Sequence, residues 1–114
     1  MIAVIFELIP REGQKDAYLG AAAELRRHLD QIDGFLSIER FESLSQPGKL
    51  LSLSFWRDEE AVRHWRNLDE HRQVQRAGRL HIFADYRLRV ASVMRDYGMF
   101  DRTGVPEDSK AIYG

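Results

Sequence analysis

Residues 35–56 read FLSIERFESLSQPGKLLSLSFW. From Phe35 to Leu44 the residues alternate, with Phe35, Ser37, Glu39 and Phe41 in one register and Leu36, Ile38, Arg40 and Glu42 in the other. A period of two predicts a strand. Ser45-Gln46-Pro47-Gly48-Lys49 supplies a compact turn, and Leu50 to Trp56 predicts a second strand returning antiparallel as a hairpin. What flanks this hairpin decides the fold. Upstream, Asp33-Gly34 ends a segment in which Tyr18, Ala21, Ala22, Leu25, Leu29 and Ile32 recur at helical spacing. That is an amphipathic helix of about five turns. Before it, Pro10 and Gly13 break a strand over residues 2–9, with Ile2, Val4, Phe6 and Leu8 opposing Ala3, Ile5, Glu7 and Ile9. Downstream, Asp58 is placed to cap a helix whose first turn carries Glu59 and Glu60, where the dipole favours anions, and whose apolar stripe is Ala61, Val62, Trp65 and Leu68. The pattern breaks near Asp69, resumes through Gln75 and closes at Gly78; Ile82 to about Tyr97 then alternates as a final strand.

The order β-α-β-β-α-β predicts an α+β, ferredoxin-like fold, a four-stranded antiparallel sheet carrying both helices on one face. Strand 1 and the hairpin hold apolar residues in both registers, so the second face needs a cover as well. A homodimer packed through its sheet faces provides one. The final strand, about sixteen residues against a mean of about 5–6, is long enough to reach the partner subunit. Asp85, Arg87, Arg89 and Arg95 would then pair across the seam or with Glu39, the alternative being that they recognise an anionic substrate. Residues 1–98 form the domain on this reading, and residues 99–114, with Gly104, Pro106, Glu107 and Asp108, form a C-terminal tail or dimer arm.

Composition narrows the function. A chain of 114 residues, 44% hydrophobic and 31% charged, has room for one soluble core. Seventeen basic against eighteen acidic residues give a net charge of -1, which offers no counterion-release drive toward nucleic acid. No apolar run approaches the roughly 20 residues of a membrane span. With no cysteine, thiol nucleophiles, disulfides and Cys-ligated metals are excluded. Met1-Ile2-Ala3-Val4-Ile5-Phe6 lacks the basic start and cleavage site of a secretory leader, and a cytoplasmic protein is expected. Gly-rich phosphate loops, GxSxG and HExxH are all absent.

Acid–base chemistry therefore falls to histidine, tyrosine and carboxylates. His28, His64 and His81 read as helix-end, solvated and loop residues. His71 sits near the break in the second helix, where a pocket mouth is expected, and is the candidate base. Trp65 lies on the inward stripe as core or pocket lining, and Trp56 ends its strand as a structural residue. Tyr86 and Arg87 point to opposite faces of the last strand, so one of them faces the helices.

Phe55-Trp56, Asp58-Glu59-Glu60-Ala61, Trp65, His71 and Gln75, followed by a long last strand, resemble the antibiotic biosynthesis monooxygenase (ABM) domain of the dimeric α+β barrel superfamily. The resemblance covers roughly residues 1–97. It implies a homodimer in which two sheets close a barrel. It also implies oxidation of a small aromatic phenol or quinol by molecular oxygen with no metal or flavin cofactor, the substrate carbanion supplying electrons. Trp65, His71 and Tyr86 are then the candidate site residues, with His71 accepting the proton of the substrate hydroxyl. Two alternatives stay open. One is a non-catalytic small-ligand-binding dimer, recognised by a purely apolar pocket. The other is a haem-binding or haem-degrading protein, against which strand 1 offers no Asn and the ligand position near Gln75 is not His.

Overall fold

The computed structural model describes residues 1–68 and 81–113. The elements are β1 (Ile2–Pro10), α1 (Lys15–Leu29), β2 (Phe35–Glu42), β3 (Leu50–Trp56), α2 (Glu59–Arg66), β4 (Phe83–Ser92) and α3 (Glu107–Tyr113). Before α3 the order is the expected one. The four strands form one antiparallel sheet in the order β2-β3-β1-β4, open at both edges. Closure into a barrel is therefore not a property of the single chain. No helix among the described residues is long and apolar enough to cross a membrane.

Local chemistry accounts for the element ends. Asp58 caps α2 by accepting from the Ala61 backbone N–H at 2.9 Å, a cap legible from its position ahead of Glu59 and Glu60. Arg57 donates to both oxygens of Asp33 at 3.0 and 3.1 Å and to Asp58 at 3.1 Å, tying the start of the hairpin to the start of α2. These contacts hold both carboxyls below their usual range, through Arg57 for Asp33 and through the Ala61 N–H first for Asp58. Arg26, Arg27 and His28 occupy the last turn of α1, where cations suit the dipole.

Gly34 is the tightest point. Its φ is +93°, and a Cβ built there would meet the Ala61 Cβ at 2.7 Å. Its carbonyl accepts from the Arg57 N–H at 2.7 Å, so the backbone has no slack to move away. Strain in the left-handed region and overpacking act together here. Gly34→Ala should cost about 2–3 kcal/mol, read as a melting temperature lower by roughly 10 °C; an unchanged melting curve would contradict this account of the α1–β2 turn.

The last strand is shorter than its alternation suggests. β4 ends at Ser92, with one further bond from the Val93 N–H to the Met1 carbonyl at 3.0 Å. The reason is a partner, since β4 pairs only with β1 and that strand has no residues left beyond Ile2. Residues 93–113 turn away, with α3 near their end, and Met94, Met99, Phe100 and Ile112 remain between 74% and 93% exposed. The charge pattern also resolves differently from expectation. Arg89 pairs with Glu7 of neighbouring β1 at 3.2 Å, and Lys49 approaches the same carboxylate at 3.7 Å, so Glu39 is not its partner. Those two cations hold the Glu7 carboxyl below its usual range, Arg89 contributing most.

Candidate functional site

β3 organises the interior. Its helix-facing residues are Leu50, Ser52, Ser54 and Trp56, all buried. The large residues at the two ends build two separate clusters. Trp56 joins Leu29, Ala61 and Val62, with Phe35, Ile38 and Trp65 packed around them. Leu50 joins Leu8 and Tyr18, with Phe6, Ile82 and Phe83 around them. Between the ends stand two serines on the sheet, and opposite them α1 presents Ala21 and Ala22. Small side chains on both walls cannot meet across the gap between helix and sheet. What remains is a cavity of about 130 Å³.

A cavity of that volume holds one aromatic ring, by comparison with an engineered apolar cavity of about 150 Å³ that takes up benzene. Its walls are mainly apolar: Val4, Phe6, Leu25, Leu29 and Ile38 contribute, and the indoles of Trp56 and Trp65 close one end. Those indoles are stacked at 6.3 Å with a 30° interplanar angle, and Phe35 meets Trp56 edge-on at 5.2 Å. The Trp56 Nε1–H donates to the Ser54 hydroxyl at 2.9 Å, fixing the ring that forms the floor. On the β4 side Leu88 lines the space while 49% exposed, so a larger ligand can extend past it.

The predicted site residues separate. Trp65 lies on the cavity wall. Tyr86 takes the helix-facing register of β4 opposite Leu8, which leaves Arg87 on the outer face, but its ring packs at 5.7 Å from Phe6 and from Phe83, beside the cavity and not in its lining. His71 lies outside the described residues. His64, expected in solvent, is 60% exposed and sits 3.2 Å from Glu60. The lining contains no histidine among the described residues.

Sequence reading passed over the polar part of the lining. Arg40 and Ser52 are cross-strand partners on β2 and β3, and both face the cavity. The Arg40 Nε–H donates to the Tyr18 hydroxyl from α1 at 3.3 Å. The signal was available, because Arg40 shares its register with Ile38, on a face that must otherwise be apolar.

With this geometry in hand, the chain's relatives can be placed. The sequence pattern of the antibiotic biosynthesis monooxygenase family matches residues 1–77. The chain belongs to this family. Within the ABM family it is 50% identical over 93 residues to the jasmonate monooxygenase ABM of Pyricularia oryzae, an alignment covering 82% of this chain and 43% of that protein. The chain thus spans less than half the length of that relative. It is also 35% identical over 95 residues to the uncharacterised protein YqjZ of Bacillus subtilis, covering 82% of this chain and 79% of YqjZ. Among solved structures, Rv0793 of Mycobacterium tuberculosis superposes with a TM-score of 0.75 at 18% identity, covering 85% of this chain and 98% of the other. A Deinococcus radiodurans structure named for the same family gives 0.73 at 19% identity, covering 87% and 98%. At such identities these structures speak to the ABM fold alone, and they agree with the sheet and helix arrangement seen here.

Proposed function

We propose that this ABM-family chain is a monooxygenase that oxidises a small, largely apolar molecule held between α1 and the sheet. The observation that carries the reading is the cavity itself, an aromatic-walled space of about 130 Å³ in a chain half-identical to a named monooxygenase. Its lining includes Arg40, Ser52 and Ser54, which disfavours the purely apolar pocket expected of a passive binder. The substrate class we favour is a phenol or quinol of the anthrone type, one ring in the cavity and the rest extending past Leu88. There His71 takes the proton, and the resulting carbanion passes an electron to molecular oxygen. Recombination gives a peroxide that loses water, so a ring CH₂ becomes C=O, one oxygen atom entering the product and the other leaving as water. No external reductant is needed for that balance. Trp65 and the apolar walls exclude solvent from the anion, and Tyr86 borders the path past β4. The name of the Pyricularia relative supports a second reading, a jasmonate-like carboxylic acid as substrate.

The active unit we propose is a homodimer through the outer sheet face. That face carries Ile5, Leu53 and Phe55, and no described helix packs on it. The chain exposes 8265 Å², where a compact monomer of 13.3 kDa exposes about 6,500 Å². The excess, about 1,800 Å², exceeds the roughly 800 Å² each partner buries in a standard interface. Part of it belongs to the arm beyond Ser92, whose apolar side chains a second copy would cover.

Oxygen consumption with a panel of hydroquinones and anthrone-type phenols, using metal-free protein, tests the activity. Uptake above the uncatalysed rate is expected, reduced about 100-fold in His71→Ala, the usual scale for losing a general base. No uptake with any compound, together with saturable quenching of tryptophan fluorescence by the same compounds, would instead mark a binding protein.

A further inference from the structure

Among the described residues the polar lining of the cavity, apart from Ser54, gathers at one corner, where Arg40, Tyr18 and Ser52 converge from β2, α1 and β3. Arg40 is half-buried and uses its Nε–H on the Tyr18 hydroxyl at 3.3 Å. No carboxylate among the described residues lies within ion-pair distance of it, although Glu7, Glu60, Asp33 and Asp58 all have cationic partners. Among the described residues the terminal nitrogens of the guanidinium therefore have no hydrogen-bond partner. Ser52 adds an independent observation. Only 9% of the residue is exposed, and its hydroxyl has no hydrogen-bond partner among the described residues. The neighbouring serine differs in this respect, because Ser54 accepts from the Trp56 indole. A buried hydroxyl without a partner costs about 1–3 kcal/mol, and a cation facing an apolar space is an incomplete pair.

From this corner we infer that the cavity takes its ligand as a carboxylate, the anion gripped by Arg40 and Ser52 and the apolar body lying toward Trp56 and Trp65. A planar guanidinium presents parallel N–H donors that match the two oxygens of a carboxylate. Tyr18 holds the guanidinium through Nε and so leaves its terminal nitrogens for the ligand. Ser52, directly across the strand pair, supplies a further donor to the same anion. The volume suits a single ring or a short chain bearing one carboxylate, and Arg40, the one cation among the described lining residues, matches one negative charge. This rests on the reading of the cavity as the substrate site, makes Arg40 its specificity-determining residue, and selects, within the phenol or quinol class, those members that also bear a carboxylate.

The test is a binding titration, independent of turnover. Benzoate, methyl benzoate and phenylphosphonate are titrated at pH 7 against the full chain, followed by tryptophan fluorescence and calorimetry. Benzoate should bind at least tenfold more tightly than its neutral ester. Arg40→Gln should abolish that preference while leaving ester affinity within about twofold, Arg40→Lys should retain part of it, and Ser52→Ala should weaken benzoate several-fold without touching the ester. Unfolding curves of the variants show that each is folded. Equal affinity for acid and ester in the unmodified chain, a preference that survives Arg40→Gln, or phenylphosphonate binding as tightly as benzoate would each overturn the assignment. Oxygen uptake is measured alongside. Carboxylate selectivity without uptake sinks the oxygenase reading alone, and uptake on neutral substrates without selectivity sinks this inference alone.

Discussion

Trp56→Ala should unfold much of the population at 37 °C. The side chain is 1% exposed and occupies the centre of the larger cluster, against Leu29, Ala61 and Val62. Its removal deletes the stack with Trp65, the edge contact with Phe35 and the hydrogen bond to Ser54 in one step. The void would open directly into the existing cavity, so the walls have nothing to collapse onto. Large-to-small changes of this kind cost about 3–5 kcal/mol, a large part of the roughly 5–15 kcal/mol that holds a domain folded. Thermal unfolding followed by far-ultraviolet circular dichroism should show the midpoint falling by roughly 10–20 °C. Trp56→Phe should fall between the two, since it keeps one ring in the cluster and loses the second ring and the donor to Ser54. A midpoint within a few degrees of the parent for Trp56→Ala would mean that this cluster is not the core.

The second large effect concerns assembly. Leu53→Asp should convert the proposed dimer into a monomer while leaving the fold intact. Leu53 pairs with Ile5 on one side and Glu39 on the other, all on the face turned away from the helices. A carboxylate there touches nothing in the core, so the single chain should tolerate it. In a two-fold dimer the substitution enters twice, and two like charges are buried near one seam. Weakening of the association by about 100-fold or more is expected, read by sedimentation or light scattering across a concentration series. Unchanged dimer at the lowest concentration would place the interface elsewhere, and a concentration-independent monomer of the parent chain would remove the dimer altogether.

Periodicity carried most of the fold. Alternation in β1, the hairpin and the first part of β4, and the three-and-four spacing in α1, are each set by which face must be buried, so they can be read one element at a time. Asp58 announced its cap because capping is a local event within three residues. The long final strand failed for the opposite reason. Alternation persists past Ser92, but a strand exists only where another strand offers hydrogen bonds, and β1 runs out. The cavity was also illegible from any single segment. It arises where Ala21 and Ala22 on α1 face Ser52 and Ser54 on β3, a meeting of small residues that only the docking of helix on sheet creates. Trp65 could be placed in its wall from the stripe on α2, whereas the register that Arg40 shares with Ile38 gains a meaning only once α1 docks over that face and Tyr18 meets the guanidinium.

Labelled oxygen and a filled cavity test the central claim together. Ala21 lines the cavity while half-buried, so Ala21→Phe should fill the space at little cost to folding. With an anthrone-type phenol under ¹⁸O₂, the parent chain should return product carrying one labelled oxygen atom per turnover. Ala21→Phe, with an unchanged melting midpoint, should return only the uncatalysed yield. Equal labelled yields from both proteins would contradict the assignment of the reaction to the space between α1 and the sheet.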